Sequence, residues 1–193
     1  MQTRTLTALS AALLLSVSAS VFAEPMSKAD HKSAQAAISA QYDADKTACK
    51  GLADNAKDIC MEEAKGKENV AKAELEVNAN PTEKNKYNLR IAHADAAYDV
   101  AKEKCDDAAG NTKDVCRKEA KSAHVAAKAN AKLSEAKSDN NAMAQEKNAD
   151  ARKEANADKQ DAAYAVAKEK CDSLAGDPKA SCLQDAKAKY GKN

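Results

Sequence analysis

The sequence predicts an all-α protein: three tandem helical hairpins, antiparallel and coiled-coil-like, each closed by a disulfide, in an elongated array. Three observations predict it. A segment with two cysteines eleven positions apart recurs three times. Turn-forming residues lie between the cysteines of each copy. The remaining sequence is rich in Ala, Lys and Glu, which favour helix, and no alternating apolar pattern marks a strand.

The chain opens on a short basic start, Met1-Gln2-Thr3-Arg4, followed by an Ala/Leu/Val/Ser-rich stretch from Leu6 to Phe22. Val21-Phe22-Ala23 places small residues at −3 and −1 of a cut after Ala23. Residues 1–23 therefore read as a signal peptide, and the expected location is the periplasm. The densest apolar run, Ala11 to Val17, is short against the roughly 20 residues of a membrane span. An uncleaved anchor is the competing reading, and the pattern fits cleavage better. No integral membrane segment is expected in the mature chain.

The whole chain carries 31 Lys and Arg against 30 Asp and Glu, and without Arg4 the two are equal. Acids and lysines interleave throughout, as on a solvated helix surface laced with ion pairs. A nucleic-acid partner would call for a basic surplus or a basic face, so none is expected. There is no Trp, and the one Phe is Phe22. Large aliphatics such as Ile38, Leu52, Val70, Leu75, Leu89 and Ile91 are scattered. Ala forms helix readily but buries little area, so the expected packing is thin, helix on helix. Disorder is the competing explanation for low hydrophobicity, and the ordered cysteine pattern stands against it.

Three segments align without gaps: Tyr42 to Lys65, Tyr98 to Lys121 and Tyr164 to Lys187. In each, Tyr stands seven residues before the first Cys and Lys three before it, at Lys46, Lys102 and Lys168. An acid, an Ala and a Lys follow the second Cys: Glu63-Ala64-Lys65, Glu119-Ala120-Lys121 and Asp185-Ala186-Lys187. In one continuous helix, cysteines eleven apart would lie about 16 Å from each other, whereas a disulfide needs Cα atoms within roughly 7 Å. A turn between them folds the arms antiparallel and brings them together. Six cysteines permit fifteen connectivities. The simplest is three local pairs: Cys49–Cys60, Cys105–Cys116 and Cys171–Cys182. Each closes a loop of about 12 residues, a stabilisation of roughly 3 kcal/mol on the chain-entropy model.

The first hairpin spans 24–80. Ser27-Lys28-Ala29-Asp30 starts its outgoing helix as a capping box, which runs to about Lys50, and the return runs from about Ala56 to Ala79. Asp54 or Asn55 is placed to cap the return. Its Gly51 stands earlier than the glycines of the other copies, so this turn reads as looser. Asn80-Pro81-Thr82 then breaks the chain. The second hairpin spans 81–140 and the third 141–193. Gly110 and Gly176, each five residues after the first Cys, read as helix-terminating glycines, and Asp177-Pro178 as a cap and first helical residue. In the second copy Tyr87, Ile91, Ala94, Tyr98, Ala101, Cys105 and Ala108 form a heptad-spaced seam, answered by Cys116, Ala120, Ala123 and Ala127. That seam assigns Tyr42, Tyr98 and Tyr164 to packing rather than to a functional platform. Ser138-Asp139-Asn140-Asn141 is a polar weak point. Residues 131–160 leave two readings open, a solvated single helix or disorder.

No chemical site stands out. Zinc sites show close cysteine pairs, and here ten residues intervene. His31, His93 and His124 do not recur with the repeat and read as helix-surface residues. Neither a C-x-x-C nor an unpaired thiol offers redox chemistry. There is no phosphate-binding loop, nucleophile elbow or H-E-x-x-H. No catalytic, cofactor-binding or metal-binding residue is therefore assigned, and no cofactor is expected.

The frame Tyr-x6-Cys-x10-Cys, with AKEKCDDAAGNTKDVC and AKEKCDSLAGDPKASC, resembles a group of small exported proteins of beta- and related proteobacteria, often labelled cell envelope biogenesis protein TolA. The resemblance covers most of the mature chain and implies a role in the envelope. The expected function is that of a non-enzymatic periplasmic structural or interaction protein: a helical spacer, a scaffold or a stress protectant. An envelope protein is the expected partner, and self-association through Ala-rich seams is open. Two other classes remain. One is a periplasmic ligand- or metal-binding module. The other is a hydration-stress protein, because the Ala/Lys/Glu helices are similar to those of late-embryogenesis-abundant proteins.

Overall fold

The computed structural model describes residues 26–136 and 142–192. The expected signal peptide and the weak point at 138–141 lie outside them. Among the described residues the fold is all-helical: α1 (Lys28–Cys49), α2 (Asp54–Ala79), α3 (Glu83–Lys104), α4 (Gly110–Ala136), α5 (Ala142–Cys171) and α6 (Gly176–Tyr190), with one 3-10 turn at Cys105–Asp107.

The helix ends follow local chemistry. The Ser27 hydroxyl accepts the Asp30 amide at 3.1 Å, and Thr82 accepts the Asn85 amide at 3.1 Å. Each satisfies a donor that the first turn leaves open. At the far end Gly191 is left-handed at φ 63°, and the Lys192 amide reaches back to the Lys187 carbonyl at 2.9 Å, closing α6.

Three disulfides join Cys49–Cys60, Cys105–Cys116 and Cys171–Cys182, with Cα–Cα distances of 5.6, 5.6 and 5.7 Å. The turns inside them share one left-handed residue, five positions after the first Cys: Gly110 at φ 55°, Gly176 at φ 61° and, in the first copy, Asp54 at φ 50°. Gly51 does not take that role, so the first turn is built like the others. Asp tolerates the left-handed region better than most residues, which hid the equivalence in the sequence. Neither Asp54 nor Asn55 caps α2, whose N-cap position is Ala53, without a side-chain bond.

Each helix packs on its neighbours in sequence, and the most extensive packing is α4 on α5 and α2 on α3. These are the joints between disulfide-closed hairpins. The chain is thus a continuous up-and-down ribbon of six helices. In the stretch 131–160, α4 and α5 pair, with Ala131 and Ala155 both 1% exposed; this replaces both the single-helix and the disorder readings for the described part. Where α2 crosses α3, a Cβ on Gly66 would lie 2.8 Å from the Ala96 Cβ, so the backbones meet more closely than any larger residue allows.

Among the described residues the buried side chains are almost all Ala, together with Cys49, Cys105 and Cys171, each 1% exposed; Leu75 is the one large aliphatic among them. Sulfur is therefore the largest fully buried group. The left-handed turn residue provides a direct check. Asp54→Gly removes a side-chain penalty of about 1 kcal/mol and should raise the melting temperature by roughly 2–4 °C. Gly110→Ala, with no atom within 4 Å of the new Cβ, should lower it by a similar amount. Circular-dichroism melts with the disulfides intact test both, and unchanged melting in both variants would refute the shared strain.

Candidate functional site

Three features recur or cluster enough to be examined as sites: the disulfide turns, the joints between hairpins and a groove on α4. In the second and third copies an acid directly after the first Cys meets a Lys seven residues further on. Asp106 binds Lys113 at 3.3 Å and Arg117 at 2.7 Å, and Asp172 binds Lys179 at 2.8 Å. The first copy has Lys50 and Lys57 at these positions, so its turn lacks the clasp. Loss of hydration alone raises the Asp106 carboxyl, but the hydrogen bonds from Arg117 and Lys113 outweigh it and hold the carboxyl below its ordinary value. The Lys179 hydrogen bond lowers Asp172 likewise.

Asn55 and Asn111 each stand six residues after the first Cys of their copy. Asn55 Nδ2 donates to the Glu103 carbonyl at 3.0 Å and to the Asp107 carboxylate at 2.8 Å. Asn111 Nδ2 donates to the Glu169 carbonyl at 3.0 Å. Glu103 and Glu169 are themselves equivalent, two residues before the next copy's first Cys. The same amide thus latches the turn of one hairpin onto the outgoing helix end of the next, where carbonyls lack intrahelical partners. Ion pairs cross these joints: Lys65–Asp99 at 3.9 Å on α2–α3, and Lys132–Glu154 and Lys170–Glu119 at 2.6 Å on α4–α5.

The expected seam is partly re-aimed. Tyr98 stacks on His124, ring centroids 4.6 Å apart, and Tyr164 meets Tyr190 at 6.3 Å. Tyr42 lies half-buried between α1 and α2 beside Glu68. Glu68, His124 and Tyr190 share one repeat position, eight after the second Cys, while Ala123 is exposed. The return stripe therefore runs Cys116, Ala120, His124. His93 is exposed and His31 pairs with Glu76 at 3.0 Å. His124 departs from the surface reading: its side chain is 9% exposed, Nε2 lies 2.5 Å from Asp95 Oδ1, and Nδ1 is buried without a partner. Non-recurrence in sequence gave no sign of this burial.

A groove of about 550 Å³ runs along α4 between α3 and α5; Tyr87, Val125 and Ala162 line it, with Lys121, Lys128 and Asp158. Among the described residues no group of three His, Cys, Asp or Glu comes together as a metal site, and no helix is long and apolar enough to cross a membrane. Comparison with protein-family models, curated proteins and solved structures finds no match.

Two outcomes follow. Asn111→Ala should speed amide exchange at the end of α5 and in α6, by the loss of about 1 kcal/mol of local stability, and leave α1 unchanged; uniform exchange across the chain would sink the latch. The carboxyls of Asp106 and Asp172 are lowered on folding, so their clasps stabilise above roughly pH 4 and are lost as pH falls through the lowered values. Between pH 5 and pH 2.5, phosphine reduction of Cys105–Cys116 and Cys171–Cys182 should accelerate relative to Cys49–Cys60 in the same molecule. A constant ratio would contradict the clasp.

Proposed function

We propose that this chain is a non-enzymatic structural or interaction protein of the cell envelope, acting in the periplasm as a helical spacer or scaffold. The observation that carries the reading is the stapled ribbon itself. Helices pack in sequence order, the buried groups are almost all Ala and disulfide sulfur, and charged side chains of both signs cover the outside. Such a ribbon has great length and surface for its mass and little depth, which suits spanning and contact. Three disulfides in a chain with no free cysteine among the described residues favour an oxidising compartment. The export signal read at residues 1–23 and the resemblance of the cysteine frame to exported proteins labelled TolA support the same location.

Fractionation of the producing cell should find the oxidised chain in the periplasm with no titratable thiol. In-cell crosslinking should then recover one defined envelope protein, and a double Cys105→Ser, Cys116→Ser variant should lose that crosslink together with about 2–4 kcal/mol of stability. A cytoplasmic, thiol-bearing chain, or a crosslink pattern untouched by the double variant, would overturn the proposal.

A further inference from the structure

The repeat copies act as controls for one another. Counting from the second Cys, α4 of the second copy matches α2 of the first. Eight, nine and sixteen residues on, α2 has Glu68, Asn69 and Glu76, whereas α4 has His124, Val125 and Lys132. On the outgoing arm, eighteen residues before the first Cys, His31 of copy one corresponds to Tyr87 of copy two. In the first copy these positions satisfy themselves. Glu76 pairs with His31 at 3.0 Å and Glu68 with Lys72 at 2.7 Å. In the second, two acids and an amide give way to an imidazole, an isopropyl group and an ammonium, and Lys132 reaches Glu154 on α5 at 2.6 Å. These four residues, Tyr87, His124, Val125 and Lys132, all line one groove.

That groove has an apolar floor of Tyr87, Val125, Ala129 and Ala162. Its volume of about 550 Å³ lies within the roughly 300–1,000 Å³ of small-molecule sites. Of the charges along it, Asp161 is held by Lys192 and Lys132 by Glu154. Lys121, whose ammonium lies over the Tyr98 ring at 5.4 Å from its centroid, and Lys128 then line the groove with Asp158, a cationic excess beside apolar surface. We propose that this groove binds an amphiphilic monoanion: an unbranched hydrocarbon tail lying over Tyr87 and Val125, with one carboxylate held by Lys128 and Lys121. The tail leaves water for apolar side chains, and the headgroup meets ammonium groups at the groove edge. This site is independent of the spacer or scaffold role, and either can fail without the other.

Dodecanoate, kept below its micellar concentration, is the probe, titrated calorimetrically into the oxidised full-length chain. One site is expected. Val125→Asn with Lys132→Glu, which installs the first copy's residues, should weaken binding by about tenfold or more. Lys128→Glu, at an exposed position, should do the same, while Lys72→Ala at the equivalent place on α2 should leave affinity unchanged. Dodecyl maltoside, with the same tail and a neutral head, should bind about tenfold more weakly. Absence of binding, several equivalent sites, equal affinity for the maltoside, or folded variants that bind as wild type would each overturn the proposal. So would capture by phosphatidylglycerol vesicles without binding of monomeric dodecanoate, which would assign the surface to a membrane.

Discussion

Closure of three short turns by sulfur is the constraint on which the rest of this molecule depends. A buried Ala removes about one methyl group from water, close to 0.8 kcal/mol, while ordering one residue costs roughly 1–2 kcal/mol of backbone entropy. Helices built on Ala therefore gain little by pairing. The disulfides shorten the unfolded chain's range instead of adding apolar burial, and Cys49, Cys105 and Cys171 fill the space that Leu or Phe fills in an ordinary bundle. Together the three bonds contribute on the order of 9 kcal/mol, comparable to the whole stability of a typical domain. Small side chains then let neighbouring hairpins approach, as at Gly66 and Ala96, and the surface ion pairs across the joints add little energy.

What was legible in the sequence was whatever a single repeat determines. Cysteine spacing with turn residues between gave the hairpin and its pairing, and Ser27 gave the start of α1. What escaped was what depends on two copies at once. The joints α2–α3 and α4–α5 carry the heaviest packing, yet no motif announces them, because Ala at the surface of one hairpin looks the same as Ala against the next. Asp54 escaped because Gly51, nearby, carried the expected residue type. His124 escaped because a lone histidine offers no period; its burial follows from the ring of Tyr98 and from Asp95, both on another helix.

The three copies share a cysteine frame and differ in what surrounds it. The first closes its arms with His31–Glu76 and leaves its turn without an acid–lysine clasp; the second and third have the clasp. In the second, Tyr87, Val125 and Lys128 line an open groove against α5 of the third. Divergence on a constant frame is how a repeat protein separates holding its shape from meeting other molecules. In this chain the former rests on residues fixed by covalent geometry, so the latter is free to vary.

The amide latch also counts. Asn55 and Asn111 each give an N–H to the helix end of the hairpin that follows. At the same position the third hairpin has Asp177, whose carboxylate accepts hydrogen bonds where Asn donates them. It also brings negative charge to where a further helix would present its own partially negative end. A fourth hairpin stacked on the third would thus meet repulsion where the first two joints have attraction. A nitrogen on the first two side chains and an oxygen on the third thus give one repeat position opposite hydrogen-bonding roles.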